Sequence, residues 1–533
     1  MKRTKRQENA EWQKNEVIEE KVFSHAVMKE LKHLPTEISE QEILRRRDMR
    51  DVLTFTIDPE DAKDFDDALS FKILDSGKYQ IGIHIADVSH YVQEGSAIDE
   101  EAYQRGTSVY LVDKVIPMLP EKLCNELCSL RPNEDKLCMS VVVEMDETAK
   151  VIRHKICRTV IRSDYRLTYE EAMGILDMGD GAMRRGGDEA RRRLGDGQLV
   201  GALQAMNELA KILRAKRFAH GAINFETPEV RFLLDKEGEP TEILFHTATD
   251  ANHLIEEFML LANRLVAKEV GGDGRLAMGN GRLAIGEKGR GKAFVYRVHD
   301  VPDPEKLVKL GNFIRQFGFH LRTSNKRSVQ NKHINSLLSE CQGTNSQTLV
   351  ETLAIRSMAK AVYSTSNIGH YGLGFAYYTH FTSPIRRYPD IMAHRLVAKY
   401  LLQSKTPCRH DKEVLEEACV HCSDTEQLAQ MAERESIKEM QARWISKHVG
   451  EEFDGVISGV TEFGLFVQLK NTLTEGLVPI RTIDPHDYME YDEDNYCLIA
   501  ARSGKKYTLS DNVRVKVAKA DVERKQIDFV LVD

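Results

Sequence analysis

The chain has 533 residues, of which 41% are hydrophobic and 30% charged, with a formal net charge of −8. This composition fits two to four cored domains of about 100–200 residues each and excludes a mainly disordered chain. No run approaches the roughly 18–20 apolar residues of a membrane span, and the basic N-terminus lacks the apolar stretch of a signal peptide. Nine scattered cysteines suit a reducing compartment, so we expect a cytoplasmic protein with no membrane partner. The net charge excludes a uniformly basic nucleic-acid binder but allows a locally basic channel.

Hydropathy patterns divide the chain into segments of different character. Residues 1–50 are polar and predict an extension or linker with a helical piece at Val22–Leu34. Apolar runs then predict strands at Val52–Ile57, Ala68–Ile73, Tyr79–Ala86 and Ser140–Glu144. Helical periodicity predicts helices at Leu199–Lys216, Pro304–Phe317, Leu349–Val362, Ile391–Leu402 and Glu413–His448.

From Gly450 onward, short strands separated by glycine turns replace the helical pattern. The predicted strands are Glu452–Ser458, Gly464–Leu469, Glu475–Pro479, Asn512–Ala520 and Gln526–Leu531. Five strands in about 80 residues is the size of an OB-fold barrel.

The most informative segment is acidic. Six carboxylates fall within ten residues between two apolar strands: Asp58, Glu60, Asp61, Asp64, Asp66 and Asp67. A solvated acidic loop is the usual meaning of a charge run, but carboxylates crowded at these spacings destabilise a fold unless a cation offsets their repulsion. Hard divalent cations such as Mg²⁺ take oxygen ligands of this kind, and two such ions about 4 Å apart form the usual clamp for phosphodiester hydrolysis. The sequence therefore favours metal-dependent phosphoryl chemistry.

The run Asp58–Ala68 also resembles the signature of the RNB family of exoribonucleases. Further segments match the family in order: Ile83–His90, Thr107–Tyr110, Ile116–Pro120, Leu127–Leu130, Leu254–Met259 and His380–Asp390. Residues 450–533 in turn resemble the RNA-binding OB-fold type of ribosomal protein S1. Together these likenesses cover most of the chain.

The resemblance implies an α+β fold in four parts. We expect an extension at 1–50, a catalytic domain with a mixed sheet, surrounding helices and an RNA channel at 51–400, a helical connector at 401–449, and the S1-type five-stranded barrel at 450–533. The implied activity is that of a monomeric, processive 3′→5′ hydrolase that degrades single-stranded RNA to nucleoside 5′-monophosphates. Mg²⁺ is the implied cofactor, with Mn²⁺ as a possible substitute.

The resemblance also assigns roles to individual residues. It implies that Asp58, Asp64, Asp66 and Asp67 form the Mg²⁺ site, with Asp66 mattering for catalysis more than for RNA binding. Arg386 would clamp the scissile phosphate, because a guanidinium is always charged and donates in a planar fork. The implied RNA contacts are Tyr110 and Phe225, which would stack on bases, Glu257 near the RNA 3′ end with Glu256 as the alternative, Arg387, Phe463 and Phe466. Alternation along the strand predicts that one of the last two belongs to the barrel core.

Two departures from the family pattern bear on RNA binding. Members usually carry two cold-shock domains before the catalytic domain, and about 50 residues are too few for either, so a form with reduced activity is one expectation. Residues 451–533 carry 10 Lys and Arg against 16 Asp and Glu, a net charge of −6, which suggests modest RNA binding by the barrel. A catalytically silent RNA-binding scaffold and a nuclease that also accepts DNA are the competing hypotheses.

Overall fold

The computed structural model of the chain describes residues 22–177, 197–223, 229–272, 292–322, 327–344, 347–402, 411–484, 486–493 and 495–532. Up to residue 177 the elements are α1 (His25–Leu31), α2 (Glu40–Leu44), β1 (Arg47–Asp48), β2 (Thr54–Asp58), β3 (Asp67–Ile73), β4 (Tyr79–Ala86), α3 (Val88–Tyr91), α4 (Ala97–Arg105), β5 (Val109–Tyr110), β6 (Val115–Ile116), a π-helical turn (Lys122–Leu127), β7 (Asp135–Met145), β8 (Val151–Arg162), β9 (Tyr165–Thr168) and α5 (Tyr169–Asp177). None of the described helices is long and apolar enough to cross a membrane.

The middle of the chain is mainly helical. Its elements are α6 (Gly197–Ala219), β10 (Glu229–Leu234), β11 (Pro240–His246), α7 (Asp250–Gly271), β12 (Tyr296–Val298), α8 (Pro304–Ile314) with a 3₁₀ turn (Arg315–Phe317), α9 (Arg327–Cys341), α10 (Gln347–Ser357), β13 (Val362–Ser364), α11 (Tyr388–Tyr400) and α12 (Lys412–Ser446). The helix predicted over Leu349–Val362 ends at Ser357, because Val362 pairs with Val298 in the ladder between β12 and β13.

A seven-stranded mixed sheet in the order β1-β8-β7-β4-β3-β2-β9 organises the first half of the chain. Only the outer pairs β1–β8 and β2–β9 are parallel. The inner strands are nearly continuous apolar runs, since both faces of the sheet are covered. Because of these apolar runs, β4 and most of β2 and β3 were predicted from the sequence. Strand β8 was not predicted, because it contains several charged residues.

Residues 22–50 are part of the main fold, and the expectation of a linker there is wrong. The Ser24 hydroxyl accepts the N–H of Val27 and so caps α1. Val27, Leu31 and Met49 are buried in the same hydrophobic core as the sheet. A short amphipathic helix in a polar segment therefore packs onto the sheet, because its few apolar residues lie on one face.

The C-terminal region forms the closed five-stranded barrel that the sequence predicts. Its elements are β14 (Glu452–Thr461), β15 (Gly464–Leu469), β16 (Glu475–Pro479), α13 (Ile480–Ile483), β17 (Met489–Asp492), β18 (Cys497–Ala500), β19 (Lys506–Thr508), β20 (Asn512–Asp521) and β21 (Gln526–Val532). Strands β17–β19 form a separate small sheet that the sequence did not predict.

Helix α12, expected to be a connector, contacts both parts of the molecule. Its Thr425 lies so close to Gly106 that a Cβ on this glycine would approach the threonine hydroxyl to 2.0 Å. Gly106 also has a φ of 68°, a left-handed conformation that glycine adopts without strain. Further along α12, the Ser436 hydroxyl accepts the N–H of Val112 at 3.0 Å.

Replacing Leu31 with alanine tests whether α1 belongs to the main core. Leu31 is only 7% exposed, so Leu31→Ala should lower the free energy of unfolding by about 2–5 kcal/mol, as cavity-forming substitutions do. Leu44 is 85% exposed, and Leu44→Ala should change it by less than about 0.5 kcal/mol. Urea denaturation of both variants checks this, and equal stabilities would show that α1 is dispensable.

Candidate active site

Four of the six clustered carboxylates, all of them aspartates, lie at one edge of the sheet. Asp58 ends β2 and Asp67 begins β3, and because these strands are antiparallel neighbours, the loop between them returns to the same edge. Asp66 is buried in this loop, and Asp64 is half-buried. The remaining carboxylates, on Glu60 and Asp61, are exposed.

Burial of these carboxylates makes their charged forms costly. Burial and the like charge of Asp67 raise the pKa of Asp58 to about 8. Burial also raises the pKa of Asp67 to about 7, although Arg386 acts in the opposite direction. The pKa values of Asp64 and Asp66 are raised by burial too. Four buried carboxyl groups this close together can all be ionised only when a positive charge lies close by.

The donor set suits a hard divalent cation. Asp58 Oδ2 is buried and has no hydrogen-bond partner among the described residues. Carboxylate oxygens without protein partners are the ligands that Mg²⁺ prefers. Within the described ranges, however, no three His, Cys, Asp or Glu side chains converge closely enough to hold one ion. The aspartates therefore have the chemistry of a metal site, but their side chains are spaced too widely for three of them to reach one ion.

Asp66 is fixed by a loop that is distant in the sequence. Its Oδ1 accepts the N–H of Ile385 at 2.8 Å, and its Oδ2 lies 3.9 Å from Nε of Arg386. The Arg386 guanidinium and the Ile385 N–H both counteract the rise in the pKa of Asp66 that burial causes. The loop that carries Arg386 thus completes the aspartate cluster.

Buried polar side chains hold this loop in place. Asn263 Oδ1 on α7 accepts the N–H of Phe381 at 2.9 Å, and its Nδ2 lies 3.4 Å from the Thr382 hydroxyl. On α11, Asp390 accepts the N–H of Ser383 at 2.8 Å, and His394 Nε2 lies 2.7 Å from the Phe381 carbonyl oxygen. Asn263 could not be found from local sequence patterns, because its partner Phe381 lies 118 residues away.

Arg386 and Arg387 have different environments. Arg386 lies in the turn before α11, with 41% of its side chain exposed and its Nη2 donating to the Ser383 hydroxyl at 3.1 Å. Its guanidinium is open to a ligand beside Asp66. Arg387, by contrast, is the N-cap residue of α11, and it forms a mostly buried ion pair with Asp390 at 2.8 Å. The structure gives Arg387 a partner within the fold, where an RNA contact was expected.

Tyr110 lies beside the aspartates. Its hydroxyl is 3.5 Å from Asp64 Oδ2, and its backbone N–H donates to Oε1 of Glu433 on α12 at 3.1 Å. The side chain is 39% exposed, so it is not an ordinary core tyrosine. Glu433 was missed by the sequence analysis, since a carboxylate in a long charged helix resembles any solvated residue. Phe225, the expected second stacking residue, lies outside the described residues.

Tyr169 is a second residue that the sequence analysis missed. It follows β9 directly, and β9 pairs with β2 so that Thr168 lies across from Asp58. Burial raises the pKa of its hydroxyl, and the charges of Asp67 and Asp58 add to the effect. Tyr169 therefore borders the aspartate cluster next to the end of β2.

The two candidate glutamates on α7 differ in burial and in pairing. Glu257 is 3% exposed and accepts hydrogen bonds from Nε (2.9 Å) and Nη2 of Arg217. Glu256 keeps 44% of its side chain exposed, with Arg217 and His253 as partners at 3.3 Å. Glu257, the residue expected near the RNA 3′ end, is thus paired inside the fold, whereas the alternative, Glu256, is partly exposed.

In the barrel, Phe463 and Phe466 form an edge-to-face pair with ring centroids 5.9 Å apart. Phe463 lies in the turn before β15 and is 52% exposed. Phe466 is half-buried on the outer face of β15, whose inner face carries Leu465 and Val467. The expectation that one of the pair is core is wrong, because the turn takes Phe463 out of the strand alternation.

Fold and site together define a class of protein. A mixed sheet that ends in four crowded aspartates beside an arginine and a tyrosine, followed by an OB barrel, is typical of a metal-dependent nuclease. The RNB domain matches residues 46–403, and the S1 RNA binding domain matches residues 446–531. The first match spans more than half of the chain, so the chain belongs to the RNB family.

Individual relatives agree with this assignment. The chain is 40% identical over 511 residues to ribonuclease R of Aquifex aeolicus, covering 96% of this chain and 68% of that protein. Its structure resembles Mycoplasma genitalium RNase R in complex with ribose methylated single-stranded RNA, with a TM-score of 0.83, 28% identity, and coverage of 96% of this chain and 76% of that one. The chain is thus a hydrolase of the 3′→5′ exoribonuclease class.

The fold alone does not establish catalysis. Yeast Ssd1, described as a pseudonuclease, shares it with a TM-score of 0.66 and 20% identity, covering 88% of this chain and 54% of that one. The aspartates and their surroundings therefore carry the functional argument.

We expect Asn263→Leu to slow hydrolysis while leaving RNA affinity nearly unchanged. Without this amide the Phe381 N–H loses its acceptor, so the loop that carries Arg386 shifts, and a displacement of 1 Å can cost about 100-fold in rate. Asn207 is also buried, and it bonds to Asp250 away from this loop. Asn207→Leu should lower stability without this fall in kcat. Single-turnover kinetics of both variants, combined with filter binding, checks the difference, and equal rates would contradict it.

Proposed function

We propose that this protein degrades single-stranded RNA processively from the 3′ end, releasing nucleoside 5′-monophosphates in a reaction that requires Mg²⁺. Asp58, Asp64, Asp66 and Asp67 would hold one or two such ions, with Mn²⁺ as a possible substitute. Bound divalent ions at such a site activate water and stabilise charge on a phosphodiester.

One observation carries this proposal: four aspartates with raised pKa values share an edge of the sheet, and Asp58 Oδ2 is buried without a partner. A silent scaffold would gain nothing from such a cluster, since replacing the aspartates with neutral residues would relieve the repulsion. The cluster is therefore better explained by a function than by stability.

Arg386 and Asp66 would have different roles at the reacting phosphate. Attack of water on the last phosphodiester breaks the bond between phosphorus and the 3′ oxygen of the preceding nucleotide. The phosphate leaves on the 5′ oxygen of the released nucleotide, and the shortened RNA keeps a 3′-hydroxyl. The half-exposed Arg386 guanidinium donates to the phosphate oxygens as charge develops. The Ile385 N–H keeps Asp66 oriented during this step.

Tyr110 would support the 3′ end of the RNA by stacking. Its ring is partly exposed and tied on one side to Asp64 and on the other to α12. An aromatic face accepts any base, which suits an enzyme without sequence preference. In the barrel, Phe463 and Phe466 offer further stacking surfaces outside the core.

Asp66→Asn should abolish hydrolysis and leave RNA affinity within a few-fold, because the amide weakens the cation site while the remaining RNA contacts are unchanged. The assay uses 5′-labelled RNA and DNA of equal sequence, each with Mg²⁺ or EDTA. We expect cleavage only of RNA with Mg²⁺. Asp61→Asn is the matched control, since Asp61 is exposed in the same loop. Monophosphate release by Asp66→Asn at the wild-type rate would refute the assignment.

Tyr110→Ala should change where digestion stops more than how fast it runs. Stacking is worth roughly 1–3 kcal/mol per base, so its loss weakens short substrates by about 5- to 150-fold and long RNA much less. Tyr110→Phe keeps the ring and loses only the hydroxyl near Asp64, so its final product should match the wild type. Arg386→Ala should slow every cleavage alike, because it acts on the scissile phosphate. Product ladders of one labelled oligonucleotide compare the three variants, and an unchanged end-product with Tyr110→Ala would rule out stacking.

A further inference from the structure

A cavity of about 360 Å³ lies away from the aspartates. Helices α6 and α7, the turn between β7 and β8, and residues 374–376 form its walls. None of the four aspartates lines it, and neither Tyr110 nor Arg386 does. Its volume is within the range of about 300–1,000 Å³ that is usual for small-molecule sites.

One wall of the cavity, the turn between β7 and β8, lies at the end of the sheet opposite the aspartates. Asp67 lies across from Ile85, which lies across from Met139 on β7. The lining residue Ala149 is in the turn that follows Met145, six residues further along β7. At about 3.3 Å per residue, this turn is at least about 20 Å from the aspartate end of the sheet.

The charges that line the cavity do not balance. Lys216, Arg217 and Arg264 face a single carboxylate, that of Glu257. Arg217 already neutralises Glu257 through its hydrogen bonds. The Lys216 ammonium donates to the carbonyl oxygen of Thr148, which carries no charge. Within the described ranges, two cations of the cavity are therefore left without an anion.

Arg264 is the most unusual of these cations. Most of its side chain is covered, yet no carboxylate in the described part of the chain forms an ion pair with it. Burial lowers the pKa of its guanidinium, although Glu257 acts in the opposite direction. The guanidinium carbon lies 5.3 Å from the ring centroid of Phe375, which stabilises the cation only partly. A buried charge without a counter-ion is costly, so this position is explained best by an anionic ligand.

The remaining walls point to the rest of the ligand. Leu213, Leu260 and Leu261 provide an apolar surface, and Phe375 provides an aromatic ring at one side. A site in which cations lie beside an aromatic ring and an apolar surface fits a molecule that joins a phosphate to a flat, weakly polar ring.

We infer that this cavity binds a nucleoside 5′-monophosphate, with the phosphate between Arg264 and Lys216 and the base against Phe375 and the leucines. The inference rests on the proposed function in one respect: it takes the ligand to be the class of product that the enzyme releases. A bound product would remain on the enzyme after cleavage, and its release would be a separate step from hydrolysis.

Calorimetric titration of the full chain in EDTA tests this inference without any hydrolysis. AMP is titrated into the wild type, Arg264→Met and Arg264→Lys. We expect Arg264→Met to weaken AMP binding by about tenfold or more, the effect of losing one hydrogen bond to a charged group. Arg264→Lys keeps the charge and should lose only a few-fold. Lys216→Met, at an exposed position, should also weaken binding and is free of concern about folding. Arg481→Met, in the exposed part of the barrel, should leave it unchanged.

Two further sets of titrations identify the ligand and its binding site. Adenosine and inorganic phosphate should each bind more weakly than AMP, and phosphate binding as tightly as AMP would overturn the assignment of a nucleotide. Asp66→Asn should bind AMP like the wild type, and a loss of binding there would place AMP at the aspartates and overturn the inference. Equal AMP affinity of the wild type, Arg264→Met and Lys216→Met would overturn it as well. The proposed hydrolysis is tested separately, since its failure would leave these affinities unchanged.

Discussion

Crowding of four carboxylates at the ends of β2 and β3 is the constraint on which the rest of the site depends. Burial raises the pKa values of all four groups, and repulsion by neighbouring aspartates adds to the effect at Asp58 and Asp66, so the protein must supply positive charge and N–H donors close by. Part of that supply is Arg386 and the backbone N–H of Ile385. Because both belong to a loop with no regular structure, the loop itself must be held rigidly. Asn263 and Asp390 do this from two helices, which explains why amide and carboxyl side chains are buried there.

What the sequence could reveal was local. The aspartates fall within ten residues, and the strands on either side have continuous apolar runs, so both could be predicted from neighbouring residues alone. The barrel strands alternate with glycine turns, so they could be predicted in the same way. The family resemblance then added Tyr110 and Arg386, which the residues by themselves would have left as a core tyrosine and a surface arginine.

The remaining site residues depend on contacts between distant parts of the chain. Glu433 meets Tyr110 across 323 positions, and Ile385 meets Asp66 across 319. Periodicity carries no information about such pairs. It also cannot rank adjacent residues of the same type: Arg386 lies beside Asp66, whereas Arg387 pairs with Asp390 inside the fold. Glu256 and Glu257 differ for the same kind of reason, since Arg217 pairs more closely with the inner one.

Helix α12 has a mechanical consequence. Its 35 residues span about 52 Å at 1.5 Å per residue. Within two turns it fixes Tyr110 through Glu433 and meets Lys525 of the barrel through Glu435 and Glu439, at 3.5 and 3.7 Å. The barrel and the tyrosine beside the aspartates are thus positioned by the same short stretch of one helix. For protein engineering, this means that a foreign barrel is best joined after Ser446, so that α12 and its contact with Tyr110 stay with the catalytic half.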